Sequence, residues 1–538
     1  MKSLLGSILS FILFGFNSIG MKNHIAVLFL VCSSSVLFCQ PGQLDETFNA
    51  TGKVITHIEN FNIHTNEVLI QQDGKIVVCG TGTTASNARD FVIARYTADG
   101  ILDSSFNQSG FLVIDFFGKN DDCRDMTLQS DGKILLTGIA TTLTSKRKAG
   151  IVRLLNDGSF DESFGTNGIV INPEDNKTEK PGAVIYQEDG SIIVTGSVEP
   201  NLGDPICAIF KYNEDGTPDV AFGENGLSTA IVPEGYNPSF GILQEDGKIV
   251  TGGFLLGNTT ESIILRFSPD GVLDSSYGTN GIALIKYFNE DHFAYSVALQ
   301  ADRKLLVVVG ITHGGKRDFC VLRYKENGMV DDSFGDNGRV ITPLSAGSNT
   351  AHAVGVQNDQ KILLAGFLGT TPNHNFAMAR YTSTGDLDSS FGIGGKVISD
   401  FGEDDLSFSM AIQPDNKIVL AGHIIDDSGN SDFIVARYLS GLEIVGTAEL
   451  SEEILHIEVY PNPAQSEMQI QFDSKQTLPL ILSMVNTLGE TILKLPETVY
   501  VVGTTQVSLD VSSLNSGVYF LRLQSGERYL TRKVAVIR

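Results

Sequence analysis

Seven glutamines stand at regular intervals along the chain, and each precedes a tight turn by two positions. A ring of such amides could supply polar contacts to a ligand, because each amide both donates and accepts hydrogen bonds. The alternative is that the amides cap turn backbone or bridge neighbouring units. A residue repeated in every copy is better explained by a task that every copy shares, so the sequence favours the structural role. The seven are Gln71, Gln129, Gln187, Gln244, Gln300, Gln357 and Gln413.

A basic residue and an aspartate lie eight positions apart in six successive copies, from Arg95 and Asp103 onward. The seventh basic residue, Arg437, has no downstream aspartate, and Asp45 has no upstream arginine. We predict that each pair forms an ion pair or a hydrogen-bonded cluster at a turn. Arg437 and Asp45 should then meet within about 4 Å, the separation that a salt bridge requires.

Aspartate-rich turns such as DGILD (99–103) and DGVLD (270–274) resemble parts of calcium loops. They lack the Asp-x-Asp-x-Asp-Gly order and the closing glutamate that supply six or more oxygen ligands. No cofactor is therefore predicted, and calcium at these turns is the weaker alternative. The histidines beyond residue 40 form no HExxH motif, and the chain contains no G-x-S-x-G or Walker sequence. These absences favour a binding module over an enzyme, and the enzyme stays open as the alternative because a site built from several loops would leave no linear motif.

Three segments depart most from the repeat, and a singular function should lie where copies differ. They are residues 172–183, 197–206 and 286–296. The last segment combines aromatic residues, acids and His292, which suits contact with a carbohydrate or a protein. A solvated variable loop is the alternative interpretation.

The elements that must position these residues recur seven times. Within one unit, the segment before the glutamine is apolar, a tight turn and a second apolar run follow, and then come an ARY-like strand and an L-D-x-x-F element. A glycine opens a fourth extended run, such as GKVIT (52–56). The element's aspartates, spaced by 55 to 58 residues, are Asp45, Asp103, Asp161, Asp219, Asp274, Asp331 and Asp388.

Four short strands per period predict one antiparallel blade, and seven blades predict an all-β, seven-bladed β-propeller. An open β-solenoid is the rival architecture, and the phase of the repeat argues against it. The last copy ends after its third strand, whereas residues 44–56 supply a fourth strand with no first three. The N-terminal strand should therefore complete the last blade and remove the exposed sheet edge that an open array would leave.

Charge and cysteine content exclude some classes of partner. The chain has 538 residues, with 38 Lys plus Arg against 63 Asp plus Glu, so its net charge of −25 repels nucleic acid and anionic lipid. Two cysteines lie in the apolar N-terminal region. The other four fall in different repeats without CxxC spacing, which favours buried core residues or free thiols over a zinc site or a disulfide framework.

The first 39 residues are predicted to be a signal-peptide region. Their two apolar runs, 3–16 and 25–38, are each shorter than the roughly 20 residues that span a bilayer. The second follows Met21-Lys22 and ends in a Ser-rich stretch, which is typical of a secretory signal and makes Met21 a candidate start. A lipoprotein anchored at Cys39 is the weaker alternative, because Phe38 occupies a position where a small residue is needed.

The pattern changes after residue 441. Residues 442–454 read as a polar linker, and 455–538 contain alternating strands bounded by Pro, Asn and Gly turns, enough for a small β-sandwich. This tail resembles the type A C-terminal sorting domain of the type IX secretion system of Bacteroidetes, through VYPNP (459–463), NTLGE (486–490), LNSGVYFLRL (514–523) and a basic end. The motif positions are Tyr460, Pro461, Asn462, Pro463, Gly489, Gly517 and Tyr519.

The resemblance implies Sec export, translocation across the outer membrane, and removal of the tail with release or surface attachment. Residues 40–441 resemble the delta-60 repeat family, most closely at 71–106 and 357–392, and copies two to four are looser. That family implies a propeller and no established chemistry. We therefore predict a secreted or cell-surface monomeric binding module, with the secretion machinery and an extracellular glycan or protein as partners. The alternative is a hydrolase or lyase acting on polysaccharide.

Overall fold

The computed structural model describes residues 40–538 except 174–176, 201–202, 233–234, 258, 286–290, 314–315, 443–453, 487–490, 497, 526–527 and 538. The predicted signal region 1–39 and the motif residue Gly489 lie outside the described residues. Every regular element in the described part is a β-strand. No helix among these residues is long and apolar enough to span a bilayer.

Seven antiparallel sheets of four strands occupy residues 53–438. The first strands are β2 (Asn62–Ile70), β6 (Asp122–Leu128), β10 (Thr178–Tyr186), β14 (Gly235–Leu243), β18 (His292–Leu299), β22 (Asn349–Val356) and β26 (Asp404–Ile412). The second strands are β3 (Ile76–Thr83), β7 (Ile134–Thr141), β11 (Ile192–Glu199), β15 (Ile249–Leu256), β19 (Leu305–His313), β23 (Ile362–Thr370) and β27 (Ile418–Ile425).

The outer half of each sheet is built the same way. The third strands are β4 (Arg89–Tyr96), β8 (Arg147–Leu154), β12 (Ile206–Tyr212), β16 (Thr260–Phe267), β20 (Lys316–Tyr324), β24 (Asn373–Tyr381) and β28 (Ser431–Tyr438). The fourth strands are β5 (Phe111–Ile114), β9 (Ile169–Ile171), β13 (Leu227–Ala230), β17 (Ile282–Ile285), β21 (Arg339–Thr342), β25 (Lys396–Ser399) and β1 (Lys53–Thr56). We number the blades 1 to 7 from the sheet that begins with β2.

Local chemistry explains why each blade forms. The turn between β2 and β3 places Gly74 at φ +82°, a left-handed conformation that glycine adopts without strain. The second strands are apolar along almost their whole length, because both faces of the sheet are covered by neighbouring blades. In one core cluster, Val77 and Ile93 of blade 1 pack with Ile134 and Leu136 of blade 2. Burial between blades is therefore the main driving force of the ring.

The ring closes through the N-terminal strand. β1 pairs antiparallel with β28, from Lys53 opposite Ala436 to Thr56 opposite Phe433. The first strands contact one another in chain order, and β26 contacts β2. The predicted closed propeller is confirmed, and the open solenoid is excluded.

Every first strand carries a β-bulge at the same register, where one residue has no partner on the second strand. A bulge breaks the alternation of the strand and re-aims the side chain at that point. The bulged residues are Asn66, Arg124, Gly182, Ser239, Tyr295, His352 and Phe408. They differ in all seven blades, in contrast to the glutamine five positions later.

The tail forms the predicted sandwich of two sheets, with order β29-β30-β34 and β32-β31-β35-β36, and with β33 beside β31. Its core contains Ile470, Phe472, Leu482, Leu521 and Leu523. The strands are β29 (Ile454–Tyr460), β30 (Glu467–Ser474), β31 (Leu478–Val485), β32 (Thr491–Lys494), β33 (Thr498–Tyr500), β34 (Gly503–Asp510), β35 (Gly517–Ser525) and β36 (Arg528–Val536).

Candidate functional site

The basic residue of each repeat lies beside the aspartate eight positions later. Arg95 Nε donates to Asp103 Oδ2 at 2.9 Å, and its guanidinium lies 4.7 Å from the centroid of the Phe106 ring. A second guanidinium nitrogen donates to the backbone carbonyl of Asn156 in blade 2. Each Arg–Asp pair therefore fixes a turn of its own blade and contacts the next blade. Repeat 3 has the shorter Lys211, whose Nζ lies 3.4 Å from Asp219.

The same contact joins the two ends of the propeller. Arg437 Nε donates to Asp45 Oδ2 at 2.8 Å, and both side chains are buried. Lys417 Nζ lies 3.1 Å from the same carboxylate, and Thr47 donates from its hydroxyl at 2.6 Å. Burial opposes ionisation of Asp45, but these hydrogen bonds and charges hold its pKa below the usual range.

The seven glutamines lie at the first hairpin of each blade. The backbone N–H of each donates to the carbonyl four residues later, as Gln71 does to Lys75 at 2.8 Å. Three side chains contact the Arg–Asp pairs or the next blade: Gln300 and Gln357 accept from Arg323 and Arg380 at 3.3 Å, and Gln71 Nε2 donates to Asn156 at 2.9 Å. Gln187 Oε1 accepts from Ser191 of its own turn at 2.7 Å. None of the seven lines the central cavity. Their backbone makes turn contacts, whereas one amide atom each of Gln71, Gln129, Gln244, Gln357 and Gln413 is buried without a hydrogen-bond partner among the described residues.

A cavity of about 530 Å³ lies where the first strands of the seven blades face one another. This volume is within the range of small-molecule sites, about 300–1,000 Å³. All seven bulged residues line it, so each blade supplies at least one lining residue. Because the bulged residues differ, the cavity has no seven-fold symmetry.

One side of the cavity is charged. We call Glu67, Arg124, Asp125 and Lys180 the charged arc; they come from blades 1 to 3 and all line the cavity. Burial lowers the pKa of Lys180 to about 8, with a further contribution from the Arg124 charge. The Lys180 ammonium donates to Asn237 Oδ1 of blade 4. Arg124 Nε is buried and has no hydrogen-bond partner among the described residues.

The two acids of the charged arc occupy equivalent positions, one residue after the bulge in blades 1 and 2. Burial, and then the nearby Asp125 charge, raises the pKa of Glu67 to about 8. Glu67 Oε1 accepts hydrogen bonds from Ser409 Oγ at 2.6 Å and from Val68 N at 3.1 Å. Burial raises the pKa of Asp125 to about 6, although its carboxylate accepts from Val184 N at 2.7 Å. Both carboxyls therefore hold a proton more strongly than an exposed acid does.

The opposite side is a continuous run of rings, which we call the aromatic belt. Tyr295 and His352 have ring centroids 4.4 Å apart, and His352 and Phe408 have centroids 4.8 Å apart. Burial lowers the pKa of His352 to about 3, with a contribution from the neighbouring His64, so the imidazole is neutral. The rings of the belt that line the cavity are Phe254, Tyr295, His352, Phe408 and His64, and Phe293 and His423 pack against them without lining it.

The three variable segments contribute to the cavity only in part. Lys180, Gly182 and Ala183, from residues 172–183, line it, as do Tyr295 and Ser296 from residues 286–296. None of the described residues of 197–206 lines it, and His292 is buried in its blade and is not among the lining residues. Residues 174–176, 201–202 and 286–290 of these segments lie outside the described part of the chain.

Sequence reasoning missed most of the cavity, including Asn66, Glu67, Arg124 and Phe408. A signal for it exists: the bulged residue always stands five positions before the repeated glutamine. At this offset the seven copies have seven different residues. The position two residues earlier, which includes the cavity-lining His64, Lys180 and Asn237, also differs in every copy. Variation at these two fixed places in the repeat therefore indicates residues that face the axis.

Comparison with protein families agrees with this architecture. The family described as "Domain of unknown function (DUF5122) beta-propeller" matches seven segments: 71–106, 129–164, 187–222, 244–277, 300–334, 357–391 and 413–441. The family described as "Secretion system C-terminal sorting domain" matches residues 458–537. The chain contains seven DUF5122 β-propeller repeats and a type IX sorting domain. The sorting domain directs the protein to the secretion machinery, and thereby to the cell surface or the extracellular space.

Several solved structures resemble the DUF5122 protein distantly, and no curated protein matches it. A protein of unknown function from Dyadobacter fermentans DSM 18053 is 10% identical, covers 72% of this chain and 98% of its own, and has a TM-score of 0.37. A PL25 ulvan lyase bound to -[GlcA(1-4)Rha3S]- is 10% identical, with coverages of 76% and 95% and a TM-score of 0.39.

PorZ, a surface component of the type IX secretion system of Porphyromonas gingivalis, is 9% identical to the DUF5122 protein, with coverages of 88% and 81% and a TM-score of 0.22. With TM-scores below 0.5, none of these three structures bears on the function of this chain.

The described sorting-motif residues lie at the end of β29, in the segment between β29 and β30, and at the start of β35. Tyr460 ends β29 and is 41% exposed, and its hydroxyl accepts from Gln506 Nε2 at 2.9 Å. Asn462, between Pro461 and Pro463, accepts from Ala535 N at 2.8 Å. Gly517 and Tyr519 lie at the start of β35, and the Tyr519 hydroxyl donates to Asn515 O at 3.0 Å. The motif therefore ties the first and last strands of the sandwich together.

Proposed function

We propose that the propeller is an extracellular binding module whose central cavity takes a small polar ligand of the carbohydrate class. The observation that carries this proposal is the division of the cavity into the charged arc and the aromatic belt. A sugar ring has hydroxyl groups at its edge and C–H groups on its faces. The charged arc supplies hydrogen-bond partners for the edge, and the belt supplies apolar ring surface for the face.

Unpartnered polar atoms support the same conclusion. Asn66 Oδ1 and Arg124 Nε are buried without hydrogen-bond partners among the described residues, and both residues line the cavity. A buried polar group without a partner is unfavourable by about 1–3 kcal/mol, and ligand hydroxyls or water can satisfy it. Arg124 and Lys180 together favour a sugar that carries a carboxylate or a sulfate over a neutral one.

A glycan array with the full chain tests this proposal. We expect retention of a subset of acidic glycans, and at least a tenfold loss of affinity in Arg124→Ala and in Tyr295→Ala. Arg303→Ala is the matched control, because Arg303 is 57% exposed and makes only surface ion pairs with Glu245 and Glu326. Binding that survives both cavity substitutions would place the ligand elsewhere on the propeller.

The two acids favour one second candidate function, hydrolysis or lyase cleavage of a polysaccharide. Glu67 and Asp125 line one cavity and have pKa values raised to about 8 and about 6. Two carboxyls with different proton affinities are the arrangement that glycosidases use for a general acid and a base or nucleophile. A hydrolysis screen on the array's ligands separates the two functions: product release that disappears in Glu67→Gln and Asp125→Asn, with no stable complex, would establish the enzyme.

We also propose that the protein acts as a monomer divided as predicted, with a leader region at 1–39, the propeller at 40–441, a linker at 442–454 and the sorting domain at 455–538. The seven sheets and the tail sheets share no strand in the described part of the chain, which supports this division. Sedimentation of the exported protein tests the oligomeric state, and mass spectrometry of its two ends tests the boundaries.

A further inference from the structure

A pair of positions at the boundary between consecutive blades carries a different combination in each copy. One position lies on the third strand of each blade. In blade 1 it is two residues before Val92, and in the other blades it is the aligned residue. The other lies on the next blade, three residues before its bulge. At the boundary between blades 2 and 3, these are Lys148 and Glu179, whose Nζ and Oε1 atoms are 3.1 Å apart. Between blades 5 and 6, Asn349 Nδ2 donates to Asp318 at 3.0 Å.

One boundary departs from this complementarity. Only the boundary between blades 1 and 2 places two acids at the two positions, whereas every other acid there has a basic, amide or apolar counterpart. The seven pairs are Asp90 and Asp121, Lys148 and Glu179, Ile206 and Tyr236, Glu261 and His292, Asp318 and Asn349, Asn375 and Asp405, and Asp432 and Ile63.

A third acid joins the two. Asp115, in the loop after β5, completes a cluster with Asp90 and Asp121 in which one carboxylate oxygen of each lies within 4.8 Å of the others. Oxygens bound to one Ca²⁺ at about 2.4 Å are at most about 4.8 Å apart. The spacing of the three acids therefore fits a single calcium ion.

Asp90 is the member that points to a ligand. It is 9% exposed, and its carboxylate has no hydrogen-bond or ion-pair partner among the described residues. Asp121, fully buried, is oriented by Thr141 N at 2.8 Å and Phe116 N at 3.1 Å. Burial, with the neighbouring Asp115 charge, raises the pKa of Asp90 to about 6. The excess of negative charge in the cluster is thus uncompensated by the protein.

The related boundary between blades 6 and 7 shows how the chain balances such charge elsewhere. Asp405 accepts from Phe401 N at 2.7 Å, just as Asp121 accepts from Phe116 N. There, however, the counterpart is the neutral Asn375, and the Lys53 ammonium lies 4.5 Å from the Phe401 ring. Blade 2 has Ile169 at the position equivalent to Lys53. Arg89, next to Asp90, is bound to Asp122 at 2.9 Å.

We propose that Asp90, Asp115 and Asp121 bind one calcium ion between blades 1 and 2. Three carboxylates and the backbone oxygens of a loop are the ligands that Ca²⁺ prefers, and the flexible coordination of Ca²⁺ suits a loop better than the strict octahedron of Mg²⁺. The export of the protein places the site where calcium is abundant, since extracellular modules work with dissociation constants of about 10⁻⁴–10⁻³ M. The ion would join two blades that other copies join by direct contacts. This cluster is distinct from the aspartate-rich turns suggested by the sequence.

Calcium titration of the full chain, followed by calorimetry and by Tb³⁺ luminescence, tests the site. We expect one ion per chain and a thermal midpoint several degrees higher in calcium than in chelator. Asp90→Asn introduces the amide that the chain uses at position 375, and Asp121→Asn the one used at 349. Each should weaken calcium binding at least tenfold and remove the calcium-dependent shift. Asp318→Asn, at the position equivalent to Asp90, is the control and should keep the wild-type response.

The thermal midpoint of the calcium-free protein gives a second test. In chelator, Asp90→Asn should raise the midpoint above that of the wild type, because it relieves repulsion between acids. A wild-type midpoint that is the same in calcium and chelator would overturn the proposal, since the acids would then share a proton instead of binding an ion. Equal calcium affinity in Asp90→Asn and the wild type would overturn it as well.

Discussion

The Arg–Asp pairs repeat around the propeller with nearly constant geometry, whereas the bulged residues that face the central cavity differ in every blade. In six of the seven pairs an arginine Nε donates to the aspartate at 2.8–2.9 Å. At the cavity, the same backbone position presents an amide, a guanidinium, a hydroxyl or a ring. Repetition at one place and variation at another separate what holds the ring together from what could recognise a ligand.

The difference has a physical origin in where each position lies. The six Arg–Asp pairs make equivalent contacts, each with its own turn and with a backbone carbonyl of the next blade, so the same residue types serve in each of these copies. The bulge leaves its residue without a partner on the second strand and turns it toward the axis, where packing imposes little. Substitution there is tolerated by the fold, which allows a ring of copies to build an asymmetric site.

The largest effect is expected at the closure of the ring. Asp45→Asn keeps the shape of the side chain but leaves Arg437 buried without its anionic partner. Loss of one partner of a buried pair typically costs about 3–5 kcal/mol. The measurement is the free energy of unfolding of the propeller transition in urea, together with hydrogen exchange of β1.

Asp161→Asn is the matched control, because Arg153 and Asp161 form the same pair at 2.8 Å within a continuous copy. Both variants should lose stability, but only Asp45→Asn should speed exchange in β1, since that strand alone is held to its blade without a direct chain connection. Equal exchange of β1 in the two variants would contradict the closing role of the Arg437–Asp45 pair.

Substitution of a cavity residue should lower ligand affinity and leave the stability of the propeller nearly unchanged. Arg124→Ala should lower affinity for a bound acidic glycan at least tenfold, while the free energy of unfolding changes by less than about 1 kcal/mol, because Arg124 Nε has no described partner to lose. Isothermal titration and urea unfolding of the same preparation measure the two quantities. A large loss of stability with unchanged affinity would mean that the bulged arginine is structural.

The sequence predicted the repeated blades and Arg–Asp pairs, but few of the variable residues that line the cavity. The strands, the seven blades and the closure followed from Asp-Gly turns and apolar runs, which depend on neighbours in the chain. The pairing of Arg437 with Asp45 followed from a fixed spacing of eight residues. Cavity residues such as Asn66 and Arg124 could not be predicted in this way. A bulge adds one residue to one of two paired strands, so it reverses which side chains face inward relative to simple alternation.

The acids of the charged arc give the stability of the propeller a dependence on pH. The pKa of Glu67 is raised to about 8, so the folded protein retains a proton that the unfolded chain releases above its ordinary value. Unfolding free energy should therefore fall as pH rises from 7 to 8, by at most about 1.4 kcal/mol per unit. Glu67→Gln should flatten this slope in urea titrations, and Glu245→Gln, an exposed control, should not. An unchanged slope in Glu67→Gln would assign the pH dependence to other groups.

The smallest effect on stability is expected in repeat 3, where a lysine replaces the arginine and part of the Arg–Asp arrangement is missing. Lys211 lies 3.4 Å from Asp219 and 5.7 Å from the Phe222 ring, whereas Arg153 lies 2.8 Å from Asp161 and 4.5 Å from Phe164. Lys211→Arg should raise the free energy of unfolding by about 0.5–1 kcal/mol, since it restores the planar contact.

Ala221→Ser supplies the missing hydroxyl, so the double variant should gain more than the sum of the single variants. Arg153→Lys, the reverse change in repeat 2, should lose a similar amount. If Lys211→Arg instead lowers the free energy of unfolding, Lys211 has a role specific to repeat 3, as the bulged residues have roles specific to their blades.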